Sequence, residues 1–367
     1  MPVPPNIAQI IAEFAIHGEV ANVQKVGSGH INDTFHLQNA DATSPDYLLQ
    51  RINHRVFKNV PGLMQNILLV TEHIKTKLPA AEAETGTLTI VKLHDGDLFH
   101  KDHDGNYWRV FYFIKGTQSI DLLSNTQQAY EGGRAFGRFQ SMLADLDPEL
   151  LTDTIPGFHD VKYRIDDLEE AFNNNLAGRA QGLGEEIKFI AEREEVMCEI
   201  LRLGDDDKIP WRITHNDTKF NNLLFGHNGL AQCVIDLDTV MPGYLAYDFG
   251  DAIRTIINTA AEDEQNLSVI QLNINLFTAY TNGYFEAIGI LLTPTEVDSL
   301  MMGVLLLPYL QAVRFLTDYM NGDIYFKIQH AEHNLQRART QIQLLKRLEE
   351  AQDTLQQIIF EAAGKRT

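Results

Sequence analysis

Cysteine, tryptophan and basic residues are scarce in this chain, and each shortage narrows what it can be. Cys198 and Cys233 are the only cysteines among 367 residues. They lie far apart in apolar surroundings, which excludes a disulfide framework and reads as two reduced core residues of a cytoplasmic protein. Lysine and arginine number 30 against 50 aspartates and glutamates, a formal charge of −20. Such a field repels nucleic acid and anionic membrane as principal partners. It still permits a nucleotide, whose phosphates are screened by bound metal and local donors, and otherwise it describes a soluble surface. No apolar run is long enough to cross a bilayer. The stretch 7–16 is apolar, but no Lys or Arg precedes it and Glu13 interrupts it. It reads as an amphipathic helix ending near Gly18, not as a signal peptide. Internal repeats and low-complexity tracts are also missing.

What is present is globular: 44% hydrophobic and 22% charged, long enough for a large core divided between two lobes. The first third alternates short β-like runs with turns: 20–26, 31–37, 47–52, 88–93 and 108–114. A helical run at 60–78, with Leu63, Ile67, Val70 and Ile74 on one face, follows the third strand. Beyond Lys115-Gly116 long helical patterns take over, near 127–144, 166–180, 185–203, 265–288, 295–320 and 330–362, with short strands at 212–214, 223–225 and 233–235. The last helix reads as a packed surface helix, since its apolar spacing drifts after Glu349. Five strands with one helix inserted after the third, then a helical body, predict an α+β, protein-kinase-like two-lobe fold. The expected division is 1–114, a β-rich nucleotide-binding lobe, and 115–367, a mostly helical lobe for catalysis and substrate.

The chemistry concentrates in two segments. His215-Asn216-Asp217-Thr218-Lys219-Phe220-Asn221-Asn222 follows one short strand and precedes another, and Val234-Ile235-Asp236-Leu237-Asp238 follows shortly. Phosphoryl transfer from a nucleotide needs one carboxylate to align the attacking hydroxyl and accept its proton, with an amide and a second carboxylate to hold magnesium. Asp217 fits the first role, Asn222 and Asp236 the others; Asp238 is a further metal ligand or an acid behind it. Lys219 can stabilise the transferred phosphate, while His215 orders the loop. Asp248-Phe249-Gly250 spells a kinase metal triplet but falls in a helical pattern too far downstream, so Asp248 is expected to brace the catalytic loop. Gly27, Ser28 and Gly29, between the first two strands, suit a phosphate-cradling turn or a plain hairpin.

One expected element is absent. Gln50 stands where a kinase carries its third-strand lysine, with Arg51 on the opposite face, leaving a Gln or Arg to meet the α/β-phosphates, or weak nucleotide binding. The cluster of His94, His100 and His103 with Asp95, Asp97, Asp102 and Asp104 matches no metal-ligand spacing and reads as a solvated hairpin tip.

Together with Gly-His-Ile-Asn-Asp-Thr at 29–34, Ile-Asp-Leu-Asp-Thr-Val-Met-Pro-Gly at 235–243, Tyr-Asp-Phe-Gly-Asp at 247–251 and Asp-Tyr-Met-Asn-Gly-Asp-Ile-Tyr-Phe at 318–326, these motifs resemble the aminoglycoside phosphotransferase and choline kinase superfamily over nearly the whole chain. Within it the resemblance is nearest to the bacterial N-acetylhexosamine 1-kinase group. It implies ATP and Mg²⁺, transfer to the anomeric hydroxyl of N-acetylglucosamine or N-acetylgalactosamine, Asp217 as base, and Asn222 and Asp236 on the metal. It further implies that His30, Arg314 and Tyr325 contact the sugar, with Asn32 in the same motif, and that Phe113, Ile114 and Lys115 form the hinge that reads adenine. An ion pair with Asp318 is the alternative for Arg314, and core packing for Tyr325. A gap at Gln50 shared with this group is also implied, whereas Leu68 stands where the superfamily carries a helix acid. The alternatives at the level of function are a kinase of another small alcohol (choline, aminoglycoside, methylthioribose or homoserine) and a non-catalytic pseudokinase.

Overall fold

The computed structural model describes residues 3–26, 31–121, 123 and 125–364. The chain forms two compact units. The first comprises Met1–Ser119, Glu149–Ile155 and Leu223–Met241, the second Ile120–Pro148, Pro156–Asn222 and Pro242–Thr367. The architecture is α+β and protein-kinase-like, with a small β-rich part and a larger helical one.

The first unit opens with α1 (Pro5–Ile11), followed by β1 (Val20–Lys25), β2 (Asp33–Asn39), β3 (Tyr47–Ile52), α2 (Val60–Lys77), β4 (Ile90–Val91), β5 (His100–Lys101), β6 (Tyr107–Tyr112) and β7 (Thr117–Ser119). The main sheet is antiparallel in the order β1-β2-β3-β6-β4, with β5 on β6. Alternation sends Leu37, Tyr47, Leu49 and Val110 into a core shared with Ile7 and Ile10 of α1. That helix stops at Ile11, short of the expected end near Gly18. Phe14 leaves it to bridge Leu93, and the Ala15 N–H donates to the Lys92 carbonyl at 2.9 Å, so sheet pairing wins over helical continuation. Asn59 caps α2 by accepting from the Gly62 N–H at 3.0 Å, and the helix buries Leu63, Met64, Ile67, Val70 and Ile74. The Asn66 amide donates to the carbonyls of Thr152 and Val240 at 2.7 and 3.0 Å, tying both later segments to this unit.

In the second unit α3 (Thr126–Met142), α4 (Val161–Asn174), α5 (Gly184–Ala191), α6 (Glu194–Met197) and α7 (Glu199–Asp205) lead to the short strand β8 (Arg212–Thr214). The chain then returns to the first unit for β9 (Leu223–Gly226) and β10 (Ala231–Val234), which complete a small sheet ordered β10-β9-β7. Helices α8 (Leu245–Ile256), α9 (Ile274–Ile288), α10 (Pro294–Met320) and α11 (His333–Gly364) finish the second unit.

Three helical expectations change. The run at 166–180 is helical over Val161–Asn174 instead, set by the Asp160 N-cap at one end and by Asn175 at a left-handed φ of 42° at the other. The run at 185–203 is three short helices, because the backbone turns at Arg193 (φ −111°), whose guanidinium stacks on Phe189 at 3.6 Å and pairs with Glu349 at 2.7 Å. The run from residue 265 becomes helical only at Ile274, since Asn258 and Leu272 form a β-bridge. By length and composition α10 could cross a membrane, unlike the expectation from unbroken apolar runs. Its apolar window is 83% buried, packed largely against α8, α4 and α11. The helices meet at glycines: a Cβ at Gly133 would stand 2.8 Å from the Tyr284 nitrogen, and one at Gly137 would stand 2.6 Å from the Tyr284 carbonyl. Gly250 of α8 abuts the backbone of Gly303 in α10 just as closely.

Candidate active site

Strand β8 delivers the chain to a loop whose shape is imposed by one buried carboxylate. Asp248, in the first turn of α8, accepts from the backbone N–H groups of His215 and Asn216 at 2.8 and 2.7 Å and from the Gln140 amide at 2.8 Å. Its own carbonyl accepts the Thr218 hydroxyl at 2.6 Å. Burial pushes the Asp248 carboxyl up, against the pull of His215 and the two N–H donors. These bonds let Asn216 hold a positive φ of 64°. Asp248 therefore braces the loop and is occupied in doing so. His215 is fully buried with Phe136 and Phe139 at its ring, and its Nδ1 accepts the Asp217 N–H at 3.2 Å.

The loop brings three of the expected residues together. The Asn222 amide donates to the Asp217 carbonyl at 2.8 Å and to its carboxylate at 3.1 Å, and Lys219 Nζ lies 2.8 Å from the other carboxylate oxygen. Burial raises the Asp217 carboxyl, but Lys219, His215 and Asn222 more than offset it and hold it below the ordinary range. Asp217 in turn holds the Lys219 ammonium up. Asn222 Oδ1 accepts from none of the described residues, leaving an oxygen of the hard type a divalent cation prefers.

In the same unit α10 and the loop after it organise a second set of side chains. Asp318 accepts from the N–H groups of Ile324, Tyr325 and Phe326 at 2.9, 2.8 and 2.9 Å and from the Asn334 amide at 2.9 Å. It is not paired with Arg314. That guanidinium stacks against Phe158, Tyr325 and Phe326 at 4.8, 5.6 and 5.5 Å, with the Tyr325 hydroxyl at 3.4 Å. Tyr325 is 44% exposed, so core packing does not account for it. Two neighbours had no signature in the sequence, His159 and Arg164. His159 is buried, and burial, Arg314 and Arg164 push it down to about 3. It is neutral at physiological pH, and its Nδ1 has no partner among the described residues.

In the first unit, Gln50 donates to the Thr34 hydroxyl at 3.1 Å and accepts from Arg109 Nε at 2.9 Å. Arg51 points to the surface against Asp33, which also holds Lys25. Asp238 is buried and paired with Arg109 Nη1 at 2.5 Å, while its other oxygen takes the Asn32 amide at 2.7 Å. Asn32 also accepts the Asn53 N–H at 2.9 Å. Asp236 sits at a positive φ of 59°, two residues beyond the end of β10. After β6, the Phe113 ring stacks on His36 at 4.1 Å and its N–H donates to the Asp46 carbonyl. Ile114 is buried, and Lys115 reaches Asp46 at 3.5 Å. Gly27, Ser28, Gly29 and His30 lie outside the described residues. The histidine-aspartate stretch is a pair of turns at Gly96 and Gly105, closed by Asp95 and Asp102. Among the described residues no three His, Cys, Asp or Glu side chains cluster as a metal site.

The fold is shared with solved structures of low sequence identity. An aminoglycoside phosphotransferase from Alicyclobacillus acidocaldarius is 13% identical, with 97% of this chain and 98% of that one covered at a TM-score of 0.60. A microcompartment-associated aminopropanol kinase is 15% identical over 96% and 98% of the two chains at 0.64. A choline/ethanolamine kinase family protein from Mesorhizobium loti is 13% identical over 98% and 95% at 0.59. The sequence model of the phosphotransferase enzyme family matches residues 22–283, most of the chain and all of the loop built around Asp217. On that match the protein belongs to the phosphotransferase enzyme family.

Proposed function

We propose that the protein transfers the γ-phosphoryl group of ATP to the anomeric hydroxyl of an N-acetylhexosamine. The observation that carries the reading is the Asp217–Asn222 loop, with a carboxylate kept ionised beside an ammonium and an amide, and a frame that Asp248 fixes. An anomeric hydroxyl is more acidic than an ordinary alcohol, so a carboxylate held low suffices as its base if the geometry is good. Asp217 orients the hydroxyl and takes its proton as the sugar oxygen bonds to the γ-phosphorus and the bridging oxygen leaves with ADP. Lys219 offsets charge on the equatorial oxygens. The free Asn222 Oδ1 and the Asp236 carboxylate are oxygen donors fit for Mg²⁺, which when bound would neutralise the phosphates.

The choice of a sugar is supported by the resemblance and by the character of the second set of side chains. Arg314 and the Tyr325 hydroxyl offer donors and an aromatic face, and His159 is an uncharged ring. Two arginines there are poor company for the ammonium group of an amino alcohol. Incubation with ATP, Mg²⁺ and N-acetylglucosamine or N-acetylgalactosamine is expected to give an anomeric phosphate by phosphorus NMR. Phosphate on any other position, turnover only with amino alcohols, or no ADP release would each remove this assignment.

A further inference from the structure

We propose that Arg109 supplies the cation that grips the α/β-phosphates of the nucleotide, in the place that Gln50 leaves without charge. The inference rests on the phosphotransfer reading above and adds a residue to it.

Arg109 lies on β6 directly across from Gln50 on β3, so its side chain leaves the sheet on the same face at the same height. Its Nε donates to Gln50 Oε1 at 2.9 Å, which carries the guanidinium over the end of the side chain that holds a lysine in other kinases. The residue is 1% exposed. An arginine does not shed its proton when buried, so a charge stands there and needs a counter-charge. Asp238 provides it at 2.5 Å. Helix α2, which would ordinarily offer a glutamate to this cation, presents Met64, whose sulfur lies 3.9 Å from Nη1. The lysine–glutamate pair of a kinase is thus rebuilt as Arg109 with Asp238, from a different strand and a different loop.

Two further observations point to a ligand. Arg109 Nη2 has no acceptor among the described residues, although a guanidinium fork matches two phosphate oxygens at once. The other oxygen of Asp238 holds Asn32 at 2.7 Å, at the foot of the β1–β2 connection where the glycine turn stands in the sequence. A purely structural ion pair would not require the spare donor.

The test compares Mg·ADP with adenosine, which shares the base and ribose but has no phosphate, by titration calorimetry on the full-length protein. Arg109→Met is expected to weaken Mg·ADP roughly tenfold or more, the scale of a charge-assisted contact, while adenosine affinity stays within about twofold. Adding Gln50→Lys to Arg109→Met returns an ammonium to the third strand and is expected to recover most of the loss. If Arg109→Met fails to fold, the paired Arg109→Gln/Asp238→Asn variant, which leaves no buried charge uncompensated, replaces it in the same comparison. An unchanged ratio of Mg·ADP to adenosine affinity in a folded variant overturns the role of Arg109 alone. Absence of Mg·ADP binding by the wild type overturns the phosphotransfer reading with it.

Discussion

At the scale of single residues the decisive quantity is the charge on Asp217. Its carboxyl is held below the usual carboxylate range because Lys219 and Asn222 outweigh the cost of burial. A base depressed in this way is ionised through neutral pH, so kcat/KM should fall on the acid side only below the range in which ordinary carboxylates take up a proton. Lys219→Met removes the largest lowering influence and leaves the burial, so the acid limb should move to higher pH; a limb that stays in place would show that Lys219 does not set the base. On the proposed role of Asp217, in which its side chain meets the attacking hydroxyl and not the phosphates, Asp217→Asn should lower kcat by roughly a hundredfold to ten-thousandfold with little change in nucleotide affinity. His159 gives a prediction of opposite origin. Held near 3 by burial and two arginines, it stays neutral when an unfolded chain would take up a proton near 6.5. Stability attributable to it is therefore complete above about pH 6.5 and is lost as the pH falls towards 3. Replacing it with glutamine should flatten the fall in Tm across that window; an equal fall in both proteins would refute a buried neutral ring. That Asp217, Lys219 and Asn222 meet was legible in the sequence because they share one short loop. His159 was not, since its state comes from tertiary burial and from Arg314, distant in the chain, as well as from nearby Arg164. Arg109 left a trace that a search for third-strand lysine passes over: a lone charge inside the apolar run Tyr107–Tyr112, whose strand is buried on both faces.

At the scale of elements, apolar periodicity located α2, α3, α10 and α11 and the short strand β8 to within a few residues, because each buries one continuous stripe or face. It overran where tertiary partners cut a helix short. Phe14 is claimed by Leu93, Arg193 by Glu349 and Asn258 by Leu272, and none of those partners lies nearby in sequence. The close helix pairs carry a prediction of their own. Gly250 on α8 touches the backbone of Gly303 on α10, and Asp248, which shapes the loop at 215–222, lies two residues earlier on the same helix. Gly250→Val would force α8 away from α10, at a cost of about 1–3 kcal/mol or more for overpacking. The same shift should drag the His215 and Asn216 amides from their carboxylate. Activity should fall further than the loss of folded protein explains, whereas Thr293→Ala at the N-cap of α10 should cost about 1 kcal/mol and leave turnover of the folded fraction unchanged. Equal losses of activity per folded molecule in the two variants would break the link between α8 packing and the loop.

For the molecule as a whole, net charge constrains how a nucleotide can arrive. The chain carries −20, and ATP without metal is itself a polyanion, so the long-range field opposes their meeting. Composition alone established that much. It could not show that 149–155 and 223–241 join the first unit, because the contacts that hold them, Asn66 with Thr152 and Val240, β7 with β9 and Arg109 with Asp238, link residues far apart in the chain. Binding to the native state raises Tm by mass action; a ligand at a hundredfold its Kd contributes about 2.7 kcal/mol, a shift of several degrees at this size. ATP with Mg²⁺ should give that shift and ATP with EDTA much less, since chelation returns the full phosphate charge to an acidic protein. The sign of the salt effect then separates two origins of the difference. Repulsion by the overall field is screened within about 8 Å at physiological ionic strength, so added salt should partly restore the response to metal-free ATP, the reverse of what salt does to a nucleic-acid-binding protein. If salt leaves the metal-free response unchanged and only Mg²⁺ recovers it, the cation acts through ligands at the phosphates, as expected of Asn222 and Asp236. If ATP stabilises equally with and without Mg²⁺, the metal has no part in binding and the nucleotide is held by protein groups alone.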